Sequence, residues 1–450
     1  MARGHCSARG ETVAFWNEKI ETMDRRELES LQSERLRHTV QRVYERVPFY
    51  RRRLDEANVR PEDIHGIEDI TRLPFTTKQD LRDTYPFGLF AVPLREVIRV
   101  HASSGTSGKP TVVGYTRGDI EHWAELMARN FAMVGVSSED VFQNAANYGL
   151  FTGGLGIHYG IERIGATAVP SGTGNTIRQL ELMRDFGVTV LHCTPSYALY
   201  LSEVASEMGI IDELRLRIGC FGAEPWSSST RRELEDALHC KAYDSYGLSE
   251  MYGPGVAFEC TEQDGLHIWE DYFFVEVIDP KTGEQVAEGE KGELVLTSLR
   301  KEAMPLIRYR TGDITRLLED ECACGRTMRR ISRVLGRADD MLIVRGINVF
   351  PSQIEEVLMN IKEIGDQYQV IVDRKRHQLD EIVVRVELNE HSFTGEITDL
   401  QRLREYVEHR LRDMLNLRTR VELVEKGTIE RTAGKAKRIL DLRKLDGDWQ

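Results

Sequence analysis

The sequence predicts an α/β protein built in two parts: a large N-terminal α/β domain over residues 1–338, with a β-rich portion near 256–335, and a small C-terminal α+β domain over 339–450. Three observations predict this. Between residues 141 and 245, apolar runs such as VTVLHC and LRIGCFG alternate with helical-period stretches such as TIRQLELMRDFG and SSSTRRELEDALH, the pattern of parallel strands joined by crossover helices. From 256 onward, YFFVEVIDPKTGE and KGELVLTS read as strands broken by Gly and Asp-Pro turns. In the last hundred residues DDMLIVRG, QYQVIVD and EIVVRVEL read as strands, SQIEEVLMN and LQRLREYVEHRLRDML as helices. At 450 residues the chain also exceeds what one ordinary hydrophobic core organises.

Taken in order, the chain begins with helical period in RRELESLQSERLRHTVQRVYERV, where Leu28, Leu31, Leu36, Val40 and Val43 predict a packing face. Next comes the apolar run REVIRVHA, then SSGTSGKP, then a helical stretch from Arg117. This order predicts a strand-to-helix connection over Ser103, Ser104, Gly105, Thr106, Ser107, Gly108 and Lys109, where backbone N–H groups can face an anion. It is not a Walker A loop, because only two residues separate the glycines and Pro110 stands where Ser or Thr would hold magnesium. A Gly- and Ser-rich surface turn would read the same way.

Composition narrows the partners. Sixty Lys and Arg against 73 Asp and Glu give a formal charge of −13, which argues against nucleic acid or an anionic membrane and for a small molecule. No run approaches the length of a spanning helix and the N-terminus lacks a signal-peptide core, so a cytoplasmic protein is expected. Seven scattered cysteines favour reduced thiols or a metal site over a disulfide framework.

Further along, YDSYGLSE places Tyr246, Ser249 and Glu250 at the end of a predicted strand, and RYRTGD places Asp313 just after a turn. GRADD supplies Arg337, and ERTAGKAKR puts Lys435 in a Gly-flanked loop. Singly, each has a plain alternative as core, turn or solvated charge. In this order they resemble the adenylate-forming superfamily of acyl-CoA synthetases, and most closely its phenylacetate-CoA ligase branch. The resemblance runs from about Phe15 to Arg443 through PFTTKQDLRDTYPFGLFAVP, SSGTSGKPTVVGYT, GAEPWS, YGLSEMYGPGVAFEC, RYRTGD, LGRADDMLIVRGINVFPSQIEEVL and GKAKRIL.

That resemblance implies the adenylate-forming fold with a mobile C-terminal lid, and a role for each matching residue. Ser103 to Lys109 would hold the β- and γ-phosphates of ATP, with Lys109 facing the departing pyrophosphate. Gly222, Ala223, Glu224 and Pro225 would line the adenine and Tyr246 would stack on it, within a nucleotide-binding string that includes Asp244 and Gly247. Ser249 would meet the α-phosphate, Glu250 would hold Mg²⁺, and Asp313 with Arg337 would take the ribose. Lys435 would bridge the substrate carboxylate and the α-phosphate. Asp339 would be the hinge about which the lid turns between half-reactions, presenting a pantetheine channel near Gly346. The implied activity joins an aromatic carboxylic acid to coenzyme A through an acyl-adenylate, in a protein that can be a homodimer. Adenylylation of a deazaflavin and a non-catalytic nucleotide binder are the alternatives.

Two further groups stand out. The branch pattern Y-G-Y-G-L-F-T-G-G reads Ala146-Asn147-Tyr148-Gly149-Leu150-Phe151-Thr152-Gly153-Gly154 here. Tyr148, Phe151 and Gly153 are therefore expected at an acyl pocket that Ala146 enlarges, with simple core packing as the alternative. Cys260, His267, Cys322 and Cys324 supply the count of soft ligands that a closed tetrahedral zinc site needs. Three reduced thiols beside an unrelated histidine are the alternative. Cys193 and Cys220 read as small core residues.

Overall fold

The first long helix runs from Arg25 to Arg46 (α1), where the Asp24 carboxylate accepts the Arg26 N–H and caps it. Its buried stripe passes through Leu28, Gln32, Leu36, Thr39, Val40 and Val43. Leu31 is half-exposed and Gln32 takes the inward place, because its amide donates to the Glu270 carbonyl at 2.8 Å. The structure, a computed structural model, describes residues 5–6, 12–103, 110–337, 342–344, 347–349, 351–373, 381–389, 397–415, 417–430 and 438–442.

After α2 (Pro48–Glu56), β1 (Arg99–Ala102) and β2 (Val112–Tyr115) pair antiparallel, with Ala102 opposite Val112. The segment predicted as a strand-to-helix connection is therefore strand to strand. Helix α3 (Arg117–Met133) begins only after β2. The short run VVGY abuts the cap residue Thr116, so the extra strand leaves no signal of its own.

The α/β region follows as β3 (Val141–Asn144), α4 (Gly153–Ile164), β4 (Thr167–Val169), α5 (Thr176–Asp185), β5 (Val190–Cys193), α6 (Pro195–Glu207), β6 (Ile218–Gly222), α7 (Ser228–Leu238) and β7 (Lys241–Leu248). Then come β8 (Gly253–Glu259), β9 (Leu266–Ile268), β10 (Phe273–Ile278), β11 (Gly292–Ser298), β12 (Tyr309–Thr315), β13 (Leu317–Leu318) and β14 (Arg330–Ile331). One sheet of nine strands has the order β13-β14-β9-β8-β7-β6-β5-β3-β4. Its five strands from β7 to β4 pair in parallel. β5 and β6 are buried at every position, as near-continuous apolar runs in a parallel sheet should be. The β-rich portion is thus divided. β8, β9, β13 and β14 extend the main sheet antiparallel, while β10, β11 and β12 pair with one another in a second sheet. Cys193 and Cys220 are core residues, as expected.

Two compact units emerge. The first holds Met1–Cys193, Asp212–Ala223 and Lys241–Arg333; the second holds Thr194–Ile211, Glu224–Cys240 and Val334–Gln450. In the second, β15 (Leu342–Val344), β16 (Ile347–Val349), α8 (Pro351–Leu358), β17 (Ile364–Asp373), β18 (Glu381–Leu388), α9 (Ile397–Leu415), β19 (Arg420–Val424) and β20 (Ile439–Asp441) follow in order. Its sheet runs β19-β18-β17-β20. Val370, Val372, Val384 and Val386 on the two central strands pack with Val407 and Leu411 of α9. Among the described residues no helix is long and apolar enough to cross a membrane.

Candidate active site

Three of the predicted segments sit where parallel strands end. β3 leads into Ala145–Thr152, β6 ends at Gly222, and β7 ends at Leu248 ahead of a single helical turn, Ser249–Met251. In open α/β sheets, ligands bind outside the carboxyl ends of the strands. Close backbone approach governs this rim. A Cβ at Gly222 would run into the Ser245 carbonyl oxygen. Ala223 follows with φ +70°, and Tyr252, just past the turn, has φ +87°. A bulky side chain in the left-handed region is strained and persists only where its surroundings over-determine it. Here Tyr115 donates its hydroxyl to the Tyr252 carbonyl at 2.7 Å, and both rings are fully buried.

The contacts at the rim join residues read separately from the sequence. Tyr246 donates its hydroxyl to Asp313 Oδ2 at 2.6 Å, so the residues expected at base and ribose are neighbours. Asp313 lies within β12, not after a turn, one residue past Gly312 at φ +78°. Asp244 donates its backbone N–H to Glu259 at 2.8 Å. Ser249 Oγ lies 3.1 Å from Thr152 Oγ1, and the Tyr309 hydroxyl donates to Glu250 at 3.3 Å. Gly247 pairs with Pro254 across the β7–β8 hairpin.

On the acyl side, Tyr148 OH accepts from Asn144 Nδ2 at 2.9 Å and meets His158 Nδ1 at 3.2 Å. Burial pushes the Tyr148 phenol up to about 12, so it stays neutral. Phe151 is 43 % exposed, and its ring lies so near Gly153 that a Cβ there would meet it at 2.6 Å. Ala146 is half-buried. Thr152, between the two, ties this loop to Ser249.

Ser103 is described and closes the base of the β1–β2 connection, its Oγ accepting the Thr111 N–H at 2.9 Å. Ser104, Gly105, Thr106, Ser107, Gly108, Lys109, Asp339, Gly346 and Lys435 lie outside the described residues. Glu224, Pro225 and Arg337 belong to the second unit, where Glu224 accepts the Ser196 hydroxyl at 2.9 Å. Three residues past Lys435, the Arg438 guanidinium stacks 4.2 Å above the Tyr368 ring.

Sequence reasoning passed over Thr152, Tyr309, Asp119 and Lys301. Asp119 boxes the start of α3 with Thr116 and also accepts the N–H groups of Glu302 and Ala303 at 2.7 and 2.9 Å. That contact fixes the neighbouring Lys301, whose buried Nζ lies 4.0 and 4.7 Å from the ring centroids of Tyr115 and Tyr252. Desolvation lowers the Lys301 ammonium to about 8, against the opposing pull of Asp119 and Glu250. Nothing in its local sequence marks it; only the fold brings it under the Ser249–Tyr252 turn.

Away from this rim, Cys260, His267, Cys322 and Cys324 are all buried, with their ligand atoms within 4.8 Å of one another.

The family model for AMP-binding enzymes matches residues 21–299, and the model for the AMP-binding enzyme C-terminal domain matches residues 346–443. Phenylacetate-coenzyme A ligase of Escherichia coli is 50 % identical over 433 residues, covering 95 % of this chain and 98 % of that one. The chain belongs to the phenylacetate-CoA ligase branch of the AMP-binding enzymes. Its counterpart in Thermus thermophilus is 49 % identical over 445 residues, covering 96 % of this chain and 100 % of that one. Among solved structures, a 2-hydroxyisobutyryl-CoA ligase in its postadenylation state matches with TM-score 0.90 at 32 % identity, over 96 % of this chain and 93 % of that one. As a member of this branch the protein is an AMP-forming acid–thiol ligase that uses ATP, coenzyme A and a carboxylic acid.

Proposed function

We propose that the acid is aromatic, phenylacetate or a larger aryl acid, and that the residues at the rim divide the reaction as follows. The observation that carries the reading is the Thr152–Ser249 hydroxyl contact, which joins the loop bearing Tyr148 and Phe151 to the turn bearing Glu250. An acyl group bordered by Tyr148, Phe151 and Gly153 would present its carboxylate where Ser249 meets the α-phosphate. The carboxylate oxygen attacks the α-phosphorus and pyrophosphate leaves; the CoA thiolate then attacks the acyl carbonyl and AMP leaves. Tyr246 and Asp313 hold the nucleoside. By the family resemblance Asp244, Gly222 and Ala223 would complete that side, and Ser103–Lys109 would take the departing phosphates.

Mg²⁺, when bound, neutralises phosphate charge during the displacement. The buried Glu250 carboxylate, beside the Tyr309 hydroxyl, is the hard oxygen donor suited to hold it. Lys435 would act on the carboxylate in the first half-reaction and be withdrawn about Asp339 for the second. Support for such alternation comes from the 2-hydroxyisobutyryl-CoA ligase, which has been solved in both postadenylation and thioesterification states. The lid would then begin near Asp339. A zinc ion in the Cys₃His cluster, apart from the chemistry, a cytoplasmic setting that keeps the thiols reduced, and a homodimer complete the reading.

The test supplies a panel of aryl, arylalkyl and short aliphatic acids with ATP, Mg²⁺ and coenzyme A, and follows AMP, pyrophosphate and thioester together. Equal AMP and thioester, greatest with an aryl acid, is the expected result. A preference for aliphatic acids would remove the aromatic assignment. Pyrophosphate without thioester would favour nucleotidyl transfer to another acceptor such as a deazaflavin.

A further inference from the structure

Resting on the zinc reading, we propose that the metal at Cys260, His267, Cys322 and Cys324 is a latch that fastens the segment 14–25 to the antiparallel end of the main sheet.

Two of the ligand pairs lie close to the spacing that one ion sets, within a group whose ligand atoms all fall within 4.8 Å of one another. Cys260 Sγ lies 3.6 Å from Cys322 Sγ, and Cys324 Sγ lies 3.4 Å from His267 Nε2. A tetrahedral zinc with bonds of about 2.3 Å to sulfur and 2.0 Å to nitrogen separates its ligand atoms by about 3.5–3.8 Å. His267 Nδ1 lies 3.1 Å from the Met328 carbonyl. A carbonyl only accepts, so Nδ1 carries the proton and Nε2 presents its lone pair toward the cysteines, the outer-shell arrangement that orients a ligating histidine.

The loop that follows the C-x-C pair grips the N-terminal segment. Gly325, at φ +79°, turns the chain, donating its N–H to the Cys322 carbonyl at 3.0 Å. Arg326 then forms a fully buried ion pair with Glu21 at 2.8 Å, donates to the Ala14 carbonyl at 2.6 Å, and lies 4.6 Å above the Phe15 ring. Thr327 donates its N–H to the Glu21 carbonyl and its hydroxyl to the Met23 carbonyl. Arg25 returns the contact, donating to the Thr327 carbonyl at 2.9 Å and clasping Glu270 with both terminal nitrogens.

A buried ion pair holds only while its geometry is complete, since a displaced partner leaves an uncompensated charge in the core. The two cysteines just before Arg326 set its place. With the ion removed, three thiols and an imidazole have no common centre, and the 322–328 loop loses its anchor at Cys260, just past β8, and at His267 on β9. Segment 14–25 is then the part whose contacts fail first.

The experiment uses the full-length enzyme purified without added metal. Its zinc content is measured by mass spectrometry, and hydrogen exchange is followed before and after extraction with a chelator. One zinc per chain is expected, with protection of 14–25 falling at least about tenfold on extraction, returning on zinc addition, and β5 and β6 changing little. Zinc that can be removed with no change at 14–25, or with equal change everywhere, overturns the latch. No zinc bound even after reconstitution overturns the zinc reading itself. Should the metal-free enzyme unfold, Arg326→Gln separates the two: it is expected to keep its zinc and lose protection of 14–25. Full protection in that variant would overturn the latch.

Discussion

At the scale of single residues, burial decides how groups behave, and the sequence does not display burial. His192 lies in β5 with Nδ1 donating to the Cys220 carbonyl at 2.7 Å, and desolvation pushes its pKa down to about 4. Above its ordinary value near 6.5 it is neutral in folded and unfolded chains alike, and its full contribution to stability is present. As pH falls from about 6.5 to about 4, the unfolded chain takes up a proton that the folded chain refuses, so stability falls with pH by about 3 kcal/mol. His192→Asn retains an N–H donor and cannot titrate there. Urea unfolding at about pH 7 and about pH 4.5 should show a smaller acid loss in this variant than in the parent; equal losses would remove His192 as a source. The same limit governed the rim. Tyr246, Asp313, Ser249 and Glu250 were legible as residue types in family strings, but their pairings were not, because partners about 60 to 100 positions apart meet only through the sheet. Lys301 offered no signal at all, since a lysine is normally a surface residue.

At the scale of elements, capping chemistry does more than start helices. Asp119, passed over in the sequence, stands three residues after Thr116 and closes the capping box there. Its second task, holding the Glu302 and Ala303 N–H groups from a distant loop, was not visible. Asp119→Ala leaves the N–H groups of Thr116, Glu302 and Ala303 buried without this acceptor, and removes one of the two carboxylates that offset the charge of Lys301. A loss of about 3–5 kcal/mol in urea unfolding is expected, and Asp119→Asn should lose less because it keeps one acceptor oxygen. Helices were the most legible elements, because 3.6-residue periodicity over about ten or more positions is a long signal. Four-residue strands such as β2 carry almost none, which is why the phosphate-loop candidate read as a strand-to-helix connection.

At the scale of the whole molecule, alternating apolar runs and helices announced the parallel strands, whereas the β-rich portion was harder to divide. Its strands share one composition, and only pairing partners tell those that extend the main sheet from those that form the second. The two half-reactions give the chain-level prediction. Lys435→Ala should reduce acyl-adenylate formation at least about 100-fold, as expected for loss of a charge that stabilises the transition state. Thioester formation from supplied acyl-adenylate should largely persist. Pyrophosphate release and CoA acylation, measured separately, check it, and equal loss of both would remove the role given to Lys435.

The buried Cys₃His tetrad also constrains how such a chain can change over generations. With the proposed zinc, a single ligand lost to mutation leaves three polar groups in the core around an incomplete site, a worse state than four ligands or four apolar side chains of similar volume. Lineages should therefore carry the whole set or none of it, crossing between the two seldom and all at once.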